Sequence, residues 1–285
     1  MARVCVVGSV NLDQSFTVRT LPRAGETVLA SSSSAAPGGK GGNQAVAAAR
    51  AGASVDIVAA LGDDPAAEVL RAHLRDRGVG LDGVVTVPGP SGAAAIVVDA
   101  HAENCIVVAP GANAHLSMAS AAVRSVVAAA EVVLLQLEIP AETALAAARL
   151  GREGGALVVV NASPSGAPPD ALAALAGVAD VVVLNDGESR QWRWPVPHLV
   201  ITRGAEGATH VGPNGRRDVA APAVEAVDTT GAGDVFAGVL AAGWLSGPED
   251  ALRRACAAGA LSTLTPGAGD CAPTAEAIDD VLNDE

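Results

Sequence analysis

Short apolar runs alternate with helix-like segments along most of this 285-residue chain. Runs such as "VCVVG", "EVVLLQLE", "ALVVVNAS" and "DVVVLND" are separated by stretches with helical spacing, such as "PAETALAAARLGREG". Strands that are apolar on both faces are typical of buried parallel sheets, whose neighbouring strands are joined by crossover helices. The pattern therefore predicts an α/β fold built from right-handed βαβ units.

Two segments interrupt this alternation. Residues 13–33 and 93–108 each predict a pair of strands around a turn, with no helix between them. We expect them to form a small antiparallel sheet that projects over a substrate cleft; the alternative is that they extend the edge of the main sheet. Near the end of the chain the pattern predicts helices at 231–246, 248–264 and 273–283. No linker or internal repeat separates a second unit, so a single domain over 1–285 is expected.

Composition excludes several classes of partner. The net charge is −13 and no basic run occurs, so nucleic acid and anionic membrane surfaces are poor partners. The apolar run at the N-terminus is too short to span a membrane, and no other segment reaches about 18 apolar residues. The four cysteines, Cys5, Cys105, Cys256 and Cys271, match no metal-binding spacing. We therefore expect free thiols in a soluble, cytoplasmic protein.

The stretch "PGGKGGNQ" at 37–44 has the look of a phosphate-binding loop. A P-loop, however, needs Ser or Thr after its lysine to bind Mg²⁺, and Lys40 is followed by Gly41. The loop also follows "SSSSAA" rather than an apolar strand. The dinucleotide fingerprint is absent after the first strand as well, which excludes a dinucleotide oxidoreductase. Neither standard nucleotide motif is present.

A better anion site is predicted near the C-terminal end, in "VDTTGAGDVFAG". The backbone N–H groups of Gly231, Ala232 and Gly233 precede a predicted helix and can converge on an anion at its positive end. Asp234 lies in the first helical turn, where a carboxylate can act as a general base toward an attacking hydroxyl. The alternative is an ordinary glycine turn followed by an acid that offsets the helix dipole.

Polar residues follow several predicted strands. Asn11 and Asp13 follow the first strand, Glu138 follows another, and Asn185 and Glu188 follow a third. Each of these residues alone is more often a cap or turn residue. Together they predict a cleft, because α/β sheets bind ligands at the carboxyl ends of their parallel strands.

Taken in order, "GSVNLD", "PGGKGGNQAVAAARAGA", "PGAN", "LLQLEIP", "ITRGAEG" and "VDTTGAGDVFAG" resemble the blocks of the ribokinase-like sugar kinases of the phosphofructokinase-B type. The resemblance covers nearly the whole chain, and within the family the blocks are most similar to those of the ribokinases. It implies a doubly wound, mostly parallel central sheet flanked by helices, with a small β-sheet lid. It also implies ATP-dependent phosphorylation of a sugar, with O5 of D-ribose as the expected acceptor.

The resemblance assigns roles to individual positions. Asp234 is implied as the catalytic base, and the backbone of Gly231, Ala232 and Gly233 as the anion hole. The implied sugar-binding residues are Asn11, Asp13, Gly38, Gly39, Lys40, Asn43, Glu138 and Asp234. The implied ATP-binding residues are Asn185, Thr202, Arg203, Gly204, Gly207, Gly233 and Cys256.

The resemblance also implies two cations and a second subunit. Asn185 and Glu188 are the positions that organise Mg²⁺ indirectly. The positions implied for an activating K⁺ are Asp228, Thr230, Ser262, Thr265, Gly267 and Cys271. A homodimer is expected. Two alternatives stay open: a kinase of another pentose, a hexose or a nucleoside, and a non-catalytic sugar- or nucleotide-binding regulator.

The chain departs from the family pattern at four places. Gly42 replaces the alanine that relatives usually have, "LND" stands where many have "PNE", and Cys256 stands where a histidine or asparagine is common. The segment 189–198 is shorter than in relatives, which usually have a further helix there. We expect the shortened segment to alter the packing beside the nucleotide site without removing an implied catalytic residue. The loss of one methyl group at Gly42 should add backbone freedom and preserve the chemistry.

Overall fold

The computed structural model describes residues 1–101 and 103–284 and contains an α/β core with a separate small sheet. The strands, in chain order, are β1 (Arg3–Val7), β2 (Asn11–Thr17), β3 (Ser32–Gly38), β4 (Ser54–Leu61), β5 (Val79–Thr86), β6 (Gly92–Val98), β7 (Asn104–Ala109), β8 (Val132–Leu135), β9 (Leu157–Asn161), β10 (Val181–Asn185), β11 (His198–Thr202), β12 (Ala208–Gly212) and β13 (Gly215–Val219). The helices are α1 (Lys40–Arg50), α2 (Pro65–Asp76), α3 (Ala121–Ala128), α4 (Ala141–Glu153), α5 (Pro169–Ala176), α6 (Asp186–Ser189), α7 (Ala232–Gly243), α8 (Pro248–Ser262) and α9 (Ala275–Asn283).

The central sheet has nine strands in the order β13-β12-β11-β10-β9-β8-β1-β4-β5. All pairs from β11 to β5 are parallel, whereas β12 and β13 pair antiparallel at one edge. Chain order runs from β1 toward β4 and β5 on one side and continues with β8 on the other. The predicted doubly wound sheet is therefore confirmed, with its reversal point between β1 and β8.

Apolar side chains on both faces of the sheet hold the helices in two layers. Along β1, Val4 and Val6 pack into one buried cluster, and Cys5 and Val7 pack into the other. The first cluster includes side chains of α1, α2, α7, α8 and α9, and the second includes those of α3, α4 and α5. Small residues make up most of the buried faces of α1, α4 and α8, which lets these helices lie close to the strands.

The predicted lid is a second sheet, with strand order β3-β2-β6-β7. Its strands do not extend the main sheet, so that alternative is wrong. The predicted antiparallel arrangement is wrong for one pair, since β2 and β6 run parallel. Both strands leave the same edge of the main sheet, β2 after β1 and β6 after β5, and therefore run in the same direction. The strand β3 begins only at Ser32, so the predicted bounds of the first strand pair, 13–33, are wrong for its second strand. The sequence "SSSAAPG" has no apolar alternation from which this strand could have been predicted. Residue 102, in the second predicted strand pair, lies outside the described residues.

Across the two described ranges, none of the helices has the length and apolarity needed to cross a lipid bilayer.

Candidate active site

The predicted site lies where the main sheet reverses direction. Ser9 and Asn11 follow β1, and Glu138 follows β8, the strand hydrogen-bonded beside it. The carboxyl ends of two adjacent parallel strands that lead in opposite directions leave a crevice between their loops. The helix α1 begins above this crevice at Lys40.

Glu138 joins the two strand ends to the start of α1. Its Oε2 accepts a hydrogen bond of 2.6 Å from Ser9 Oγ and one of 3.2 Å from the backbone N–H of Lys40. The short Ser9 bond fixes the carboxylate, and the Lys40 bond places it beside the positive end of the helix. Ser9 lies in the quoted block "GSVNLD", but its role was not predicted.

Asn11 is held by another residue that the sequence analysis did not assign. Its Oδ1 accepts a bond of 2.8 Å from Asn113 Nδ2, and Asn113 also bonds the backbone N–H and carbonyl of Val10. Both asparagines are buried. Asn113 belongs to the block "PGAN", so the signal was the motif rather than any local pattern.

The glycines of "PGGKGGNQ" let α1 approach the loop after β1. Gly39 has a φ of 84°, and a Cβ there would lie 2.8 Å from the backbone nitrogen of Asn11. A Cβ on Gly41 would lie 2.7 Å from the backbone of Gly8 and Ser9. Both distances are shorter than real Cβ contacts, so a side chain would push α1 away from the crevice. Gly42 differs, because a Cβ there would meet only the Val10 methyl groups at 3.8 Å.

Asp234 stands on the opposite side of the first turn of α1. It lies in the first turn of α7 and is 7% exposed. Asn43 Nδ2 donates to its Oδ2 at 3.1 Å, and Gln44 Nε2 donates to its Oδ1 at 3.0 Å. Two amides therefore fix the carboxylate plane, and Gln44 adds to the predicted set of residues. These two contacts link positions 191 and 190 residues apart.

Three carboxylates, those of Asp13, Glu138 and Asp234, lie in this site together with the ammonium group of Lys40. The carboxylate of Asp234 raises the pKa of Lys40, burial opposes this shift, and Glu138 adds to the increase. Burial, together with Glu138 and Asp234, raises the pKa of Asp13 to about 6. Asp13 Oδ1 is buried without a hydrogen-bond partner among the described residues. An unpaired buried oxygen in such a cluster is a position that a ligand hydroxyl can occupy.

The turn before α7 presents backbone donors beside Asp234. Gly231 has a φ of 80° and caps the helix without a side chain. Ala232 N donates a long bond of 3.3 Å to Thr229 O, while the N–H groups of Gly231 and Gly233 have no protein acceptor within 1–101 and 103–284. The arrangement leaves two donors free at a positive helix end, which is the chemistry that an anion requires.

A second, more open cavity of about 590 Å³ lies at the carboxyl ends of β10 and β11. Its lining includes Asn185, Thr202, Arg203 and Gly204. Asn185 and Glu188 form a capping box: Asn185 Oδ1 accepts from Glu188 N at 2.8 Å, and Glu188 Oε2 accepts from Asn185 N at 2.9 Å. The cap fixes the orientation of Glu188, which directly follows the lining residues Asp186 and Gly187 and is not itself part of the lining.

Two positions implied for ATP lie deeper. Gly207 has a φ of 91°, and a Cβ there would meet Val219 O at 2.1 Å, so the residue lets β12 begin next to β13. Cys256 lies in α8 with its Sγ 3.7 Å from Val219 O, and burial raises its thiol pKa to about 12. The structure does not bring this thiol to the surface of the open cavity.

The short segment after α6 folds back, with Trp192 and Trp194 packed edge to face at 5.2 Å.

The positions implied for K⁺ gather around Asp228. Although burial raises the pKa of Asp228, hydrogen bonds from Thr230 and Gly267 lower it overall. Its two oxygens accept backbone N–H bonds of 2.9 Å each from Thr230 and Gly267. The carboxylate therefore ties the turn before α7 to the loop after α8. Burial raises the pKa of the Cys271 thiol to about 11, so the thiol stays protonated. The ligand that this position offers to a cation is therefore its backbone carbonyl oxygen and not its sulfur.

The geometry supports a transfer reaction between two ligands. A buried carboxylate, a lysine and free backbone donors meet at one end of a polar crevice, and an open cavity lies at neighbouring strand ends. A hydroxyl bound against Asp234 can lose its proton to that carboxylate, and the adjacent N–H groups can stabilise negative charge.

Comparisons with known proteins agree with this arrangement. The model of the pfkB family carbohydrate kinases matches residues 1–194 and 195–275. Ribokinase of Bacillus subtilis is 34% identical over 298 residues, covering 99% of this chain and 100% of the relative. Deoxyribokinase of Salmonella typhimurium is 31% identical over 308 residues, with 98% of each chain covered.

A solved structure gives the same picture. The structure of Arabidopsis thaliana ribokinase complexed with ribose and ATP superimposes with a TM-score of 0.89. It is 27% identical and covers 99% of this chain and 98% of its own. The two curated relatives thus differ in the acceptor that their names state, and the solved structure shares the fold of this chain.

Proposed function

This chain belongs to the pfkB family of carbohydrate kinases, and we propose that it transfers the γ-phosphoryl group of ATP to O5 of D-ribose, giving D-ribose 5-phosphate and ADP. The identity to ribokinases over nearly the full length supports ribose as the acceptor. The observation that carries the proposal is the position of Asp234, whose buried carboxylate faces the crevice at the start of α7.

In the proposed reaction Asp234 removes the proton from O5 as this oxygen attacks phosphorus. Asn43 and Gln44 hold both carboxylate oxygens in the plane needed for that contact. The free N–H groups of Gly231 and Gly233 stabilise the charge that develops on the transferred group. A positioned base contributes roughly 10²–10⁴-fold and one backbone donor about 10²–10³-fold.

The acceptor is proposed to bind between β2 and the first turn of α1. Asn11, Asp13 and Glu138 offer oxygen acceptors for sugar hydroxyls, and the Lys40 ammonium balances their charge. Gly38 and Gly39 contribute backbone groups, because neither has a side chain between the chain and the ligand. Asn43 adds a donor from the same turn.

ATP is proposed to bind in the open cavity beside Asn185, Thr202, Arg203 and Gly204. Glu188 offers a carboxylate fixed by its capping box, and oxygen ligands of this kind suit Mg²⁺, directly or through water. When bound, Mg²⁺ supplies positive charge that offsets the phosphates. The buried Cys256 is proposed to contribute to the packing behind this cavity and not to contact the nucleotide directly.

The residues implied for K⁺ can coordinate a monovalent cation through their oxygen atoms. Asp228, the hydroxyl residues Ser262 and Thr265, and the carbonyls around Thr230, Gly267 and Cys271 flank one loop junction. We propose that a monovalent cation there holds the turn before α7 in place.

A homodimer through the lid is proposed from the edge strand β7. Val107 on this strand is 64% exposed, and no strand within 1–101 and 103–284 pairs with the outer edge of β7. The free cysteines Cys5, Cys105, Cys256 and Cys271 fit a reducing, cytoplasmic location.

An ADP-release assay over pentoses, hexoses and nucleosides, with K⁺ and Na⁺ compared, tests these proposals. We expect the highest kcat/KM with D-ribose and a higher rate in K⁺ than in Na⁺. A higher kcat/KM with another acceptor would contradict ribose as the substrate. Acceptor binding without ADP release from any acceptor would instead indicate a non-catalytic regulator.

A further inference from the structure

The loop between α8 and α9, residues 263–274, lies directly on the turn before α7. Its central residues form neither helix nor strand. The N–H of Gly267 donates to Asp228 Oδ2 at 2.9 Å. Ala268 lies against Gly231, where an added Cβ would be 2.8 Å from the Ala268 Cβ. The position of this loop therefore affects the turn that carries the proposed anion-binding N–H groups.

The same loop also contacts the end of β3. A Cβ on Gly269 would lie 2.2 Å from the carbonyl oxygen of Pro37, so only glycine fits between the two backbones. Pro37 directly precedes Gly38 and Gly39, which lead into α1. Consecutive residues of the loop thus contact the turn before α7 and the strand that precedes α1.

A salt bridge connects this loop to α2. Arg77 directly follows the last residue of α2, and its Nε and Nη2 lie 2.8 and 2.6 Å from Asp270 Oδ1. His73 Nδ1 lies 4.0 Å from the same oxygen. Asp270 is the only charged residue of the loop. Because side chains of α2 are buried in the core, the salt bridge ties a loop without regular structure to a firmly packed helix.

The exposure of this salt bridge indicates what it contributes. The side chains of Arg77 and Asp270 are 35% and 54% exposed, and ion pairs in contact with solvent add little to stability. The two residues are 193 positions apart in the chain. No other arginine or lysine within 1–101 and 103–284 forms an ion pair with this loop. The contribution of the pair is therefore to fix where the loop lies.

We propose that Arg77 is a positioning residue for phosphoryl transfer. It holds Asp270, the loop around Asp270 holds the turn before α7, and that turn presents the N–H groups of Gly231 and Gly233. Without Arg77 the loop samples other positions, and the two donors are aligned with the transferred group for a smaller fraction of the time. The inference rests on the proposed function and extends it to a residue outside the lining of the open cavity.

Arg77→Met tests the inference, because it keeps the apolar stem of the side chain and removes the charge. We expect kcat for ADP release to fall by roughly three- to tenfold, with the acceptor KM within about twofold, since the turn acts on the transferred group. Arg77→Lys should retain at least about half of kcat, because a single carboxylate oxygen accepts both contacts. Arg75→Met makes the same change at an exposed residue of α2 and should leave kcat within about twofold.

Urea unfolding separates positioning from a merely structural role. The midpoint for Arg77→Met should lie within about 0.5 M of that for Arg75→Met, because the pair is partly exposed. A larger drop in the midpoint would assign the pair to stability and would overturn the positioning role.

Amide hydrogen exchange tests the contact between loop and turn without any turnover. The N–H groups of Asp228 and Thr230 are hydrogen-bonded to Thr263 O and Asp228 Oδ1. We expect them to exchange at least about threefold faster in Arg77→Met than in Arg75→Met. Equal exchange rates would overturn the inference, and so would faster exchange with an unchanged kcat. If the unmodified protein released ADP with no acceptor, the proposed function alone would be contradicted, and the exchange rates would still decide whether Arg77 holds the turn.

Discussion

The acceptor side and the donor side of the crevice are built differently. On the acceptor side, Asn11 and Asp234 are buried, and their side chains are fixed by Asn113, Asn43 and Gln44. On the donor side, Asn185 is exposed and the cavity is open, and the capping box with Glu188 is a local contact three residues long.

The difference indicates which half is organised before ligands arrive. Long-range hydrogen bonds between strand ends and helices hold the acceptor side, so little must move when a sugar binds. The donor side has few such bonds and depends more on the contacts that the nucleotide itself brings. Substitutions on the acceptor side should therefore change affinity and stability together, whereas those on the donor side should mainly change nucleotide use.

The largest expected effect is on catalysis, from Asp234→Asn. Loss of the base should lower kcat by about 10²–10⁴-fold, because the amide cannot accept the O5 proton. Acceptor affinity should stay within a fewfold, since the other hydroxyl-binding residues remain. ADP release gives kcat, and calorimetry gives the acceptor Kd. Retention of normal kcat would remove Asp234 from the mechanism.

Asp13→Asn should change acceptor affinity and stability together but in opposite directions. Loss of a charged hydrogen-bond acceptor should raise the acceptor Kd by roughly 10–100-fold. The same change should stabilise the ligand-free protein, because the carboxylate is charged, half-buried and close to Glu138 and Asp234. After discounting for solvent screening, we expect about 1–2 kcal/mol of added stability at pH 8.

The pH dependence of this effect has a defined sign. The pKa of Asp13 is about 6 when folded, above its ordinary value of 3.8. Its contribution to stability is therefore complete below about pH 4 and is lost as pH rises through about 6. The stability gained in Asp13→Asn should consequently be large at pH 8 and absent near pH 4 in urea unfolding experiments. A gain independent of pH would rule out repulsion between carboxylates as its cause.

Gly41→Ala tests the rigidity of the acceptor side. Its Cβ would lie 2.7 Å from backbone atoms of Gly8 and Ser9, which cannot move aside as the end of a flexible side chain could. We expect a loss of about 1–3 kcal/mol in the free energy of unfolding. The acceptor KM should rise in parallel, because α1 carries Lys40 and Asn43 away from Glu138. An unchanged free energy of unfolding would mean that the backbone of Gly8 and Ser9 moves easily. The acceptor side would then be less rigid than the comparison with the donor side assumes.

Glu188→Gln tests the donor side with a side chain that keeps its hydrogen-bond acceptor. The cap to Asn185 N should survive, so stability should change by less than about 0.5 kcal/mol. Loss of the charge should raise the Mg²⁺ concentration needed for half-maximal ADP release by about tenfold, as for a residue near a metal. Glu188→Ala, which also removes the cap, is the comparison for stability. An unaltered Mg²⁺ requirement in both variants would contradict the assigned role.

The fold and the framework of the site followed from local patterns, whereas the support of the site did not. Strand apolarity predicted the parallel sheet, and "GAGD" before a helix predicted the position of Asp234. The partners Gln44, Asn113 and Ser9 contact residues 190, 102 and 129 positions away. No local spacing encodes such contacts between short polar side chains.

The lid shows the same limit in another form. Its strands were predicted in part, but the parallel pairing of β2 with β6 depends on where each leaves the main sheet. The cavity of about 370 Å³ beside Asn11 and Glu138 is lined by side chains from two lid strands and three connections, which meet only in the folded chain. What sequence predicts well is an element with its own periodicity; what it misses is contact between elements.

The smallest expected effect is a gain in stability from Gly42→Ala, which sharpens the contrast with Gly41. Both glycines lie in the first turn of α1, but only Gly42 has room for a Cβ, 3.8 Å from the Val10 methyl groups. Alanine should stabilise the helix by about 0.5–1 kcal/mol, because it restricts the unfolded chain and favours helical backbone. The acceptor KM should stay within about twofold, as measured by ADP release alongside urea unfolding. A loss of stability in Gly42→Ala as large as that in Gly41→Ala would contradict this expectation. It would mean that the whole first turn of α1 lies too close to the strand end to accept a methyl group.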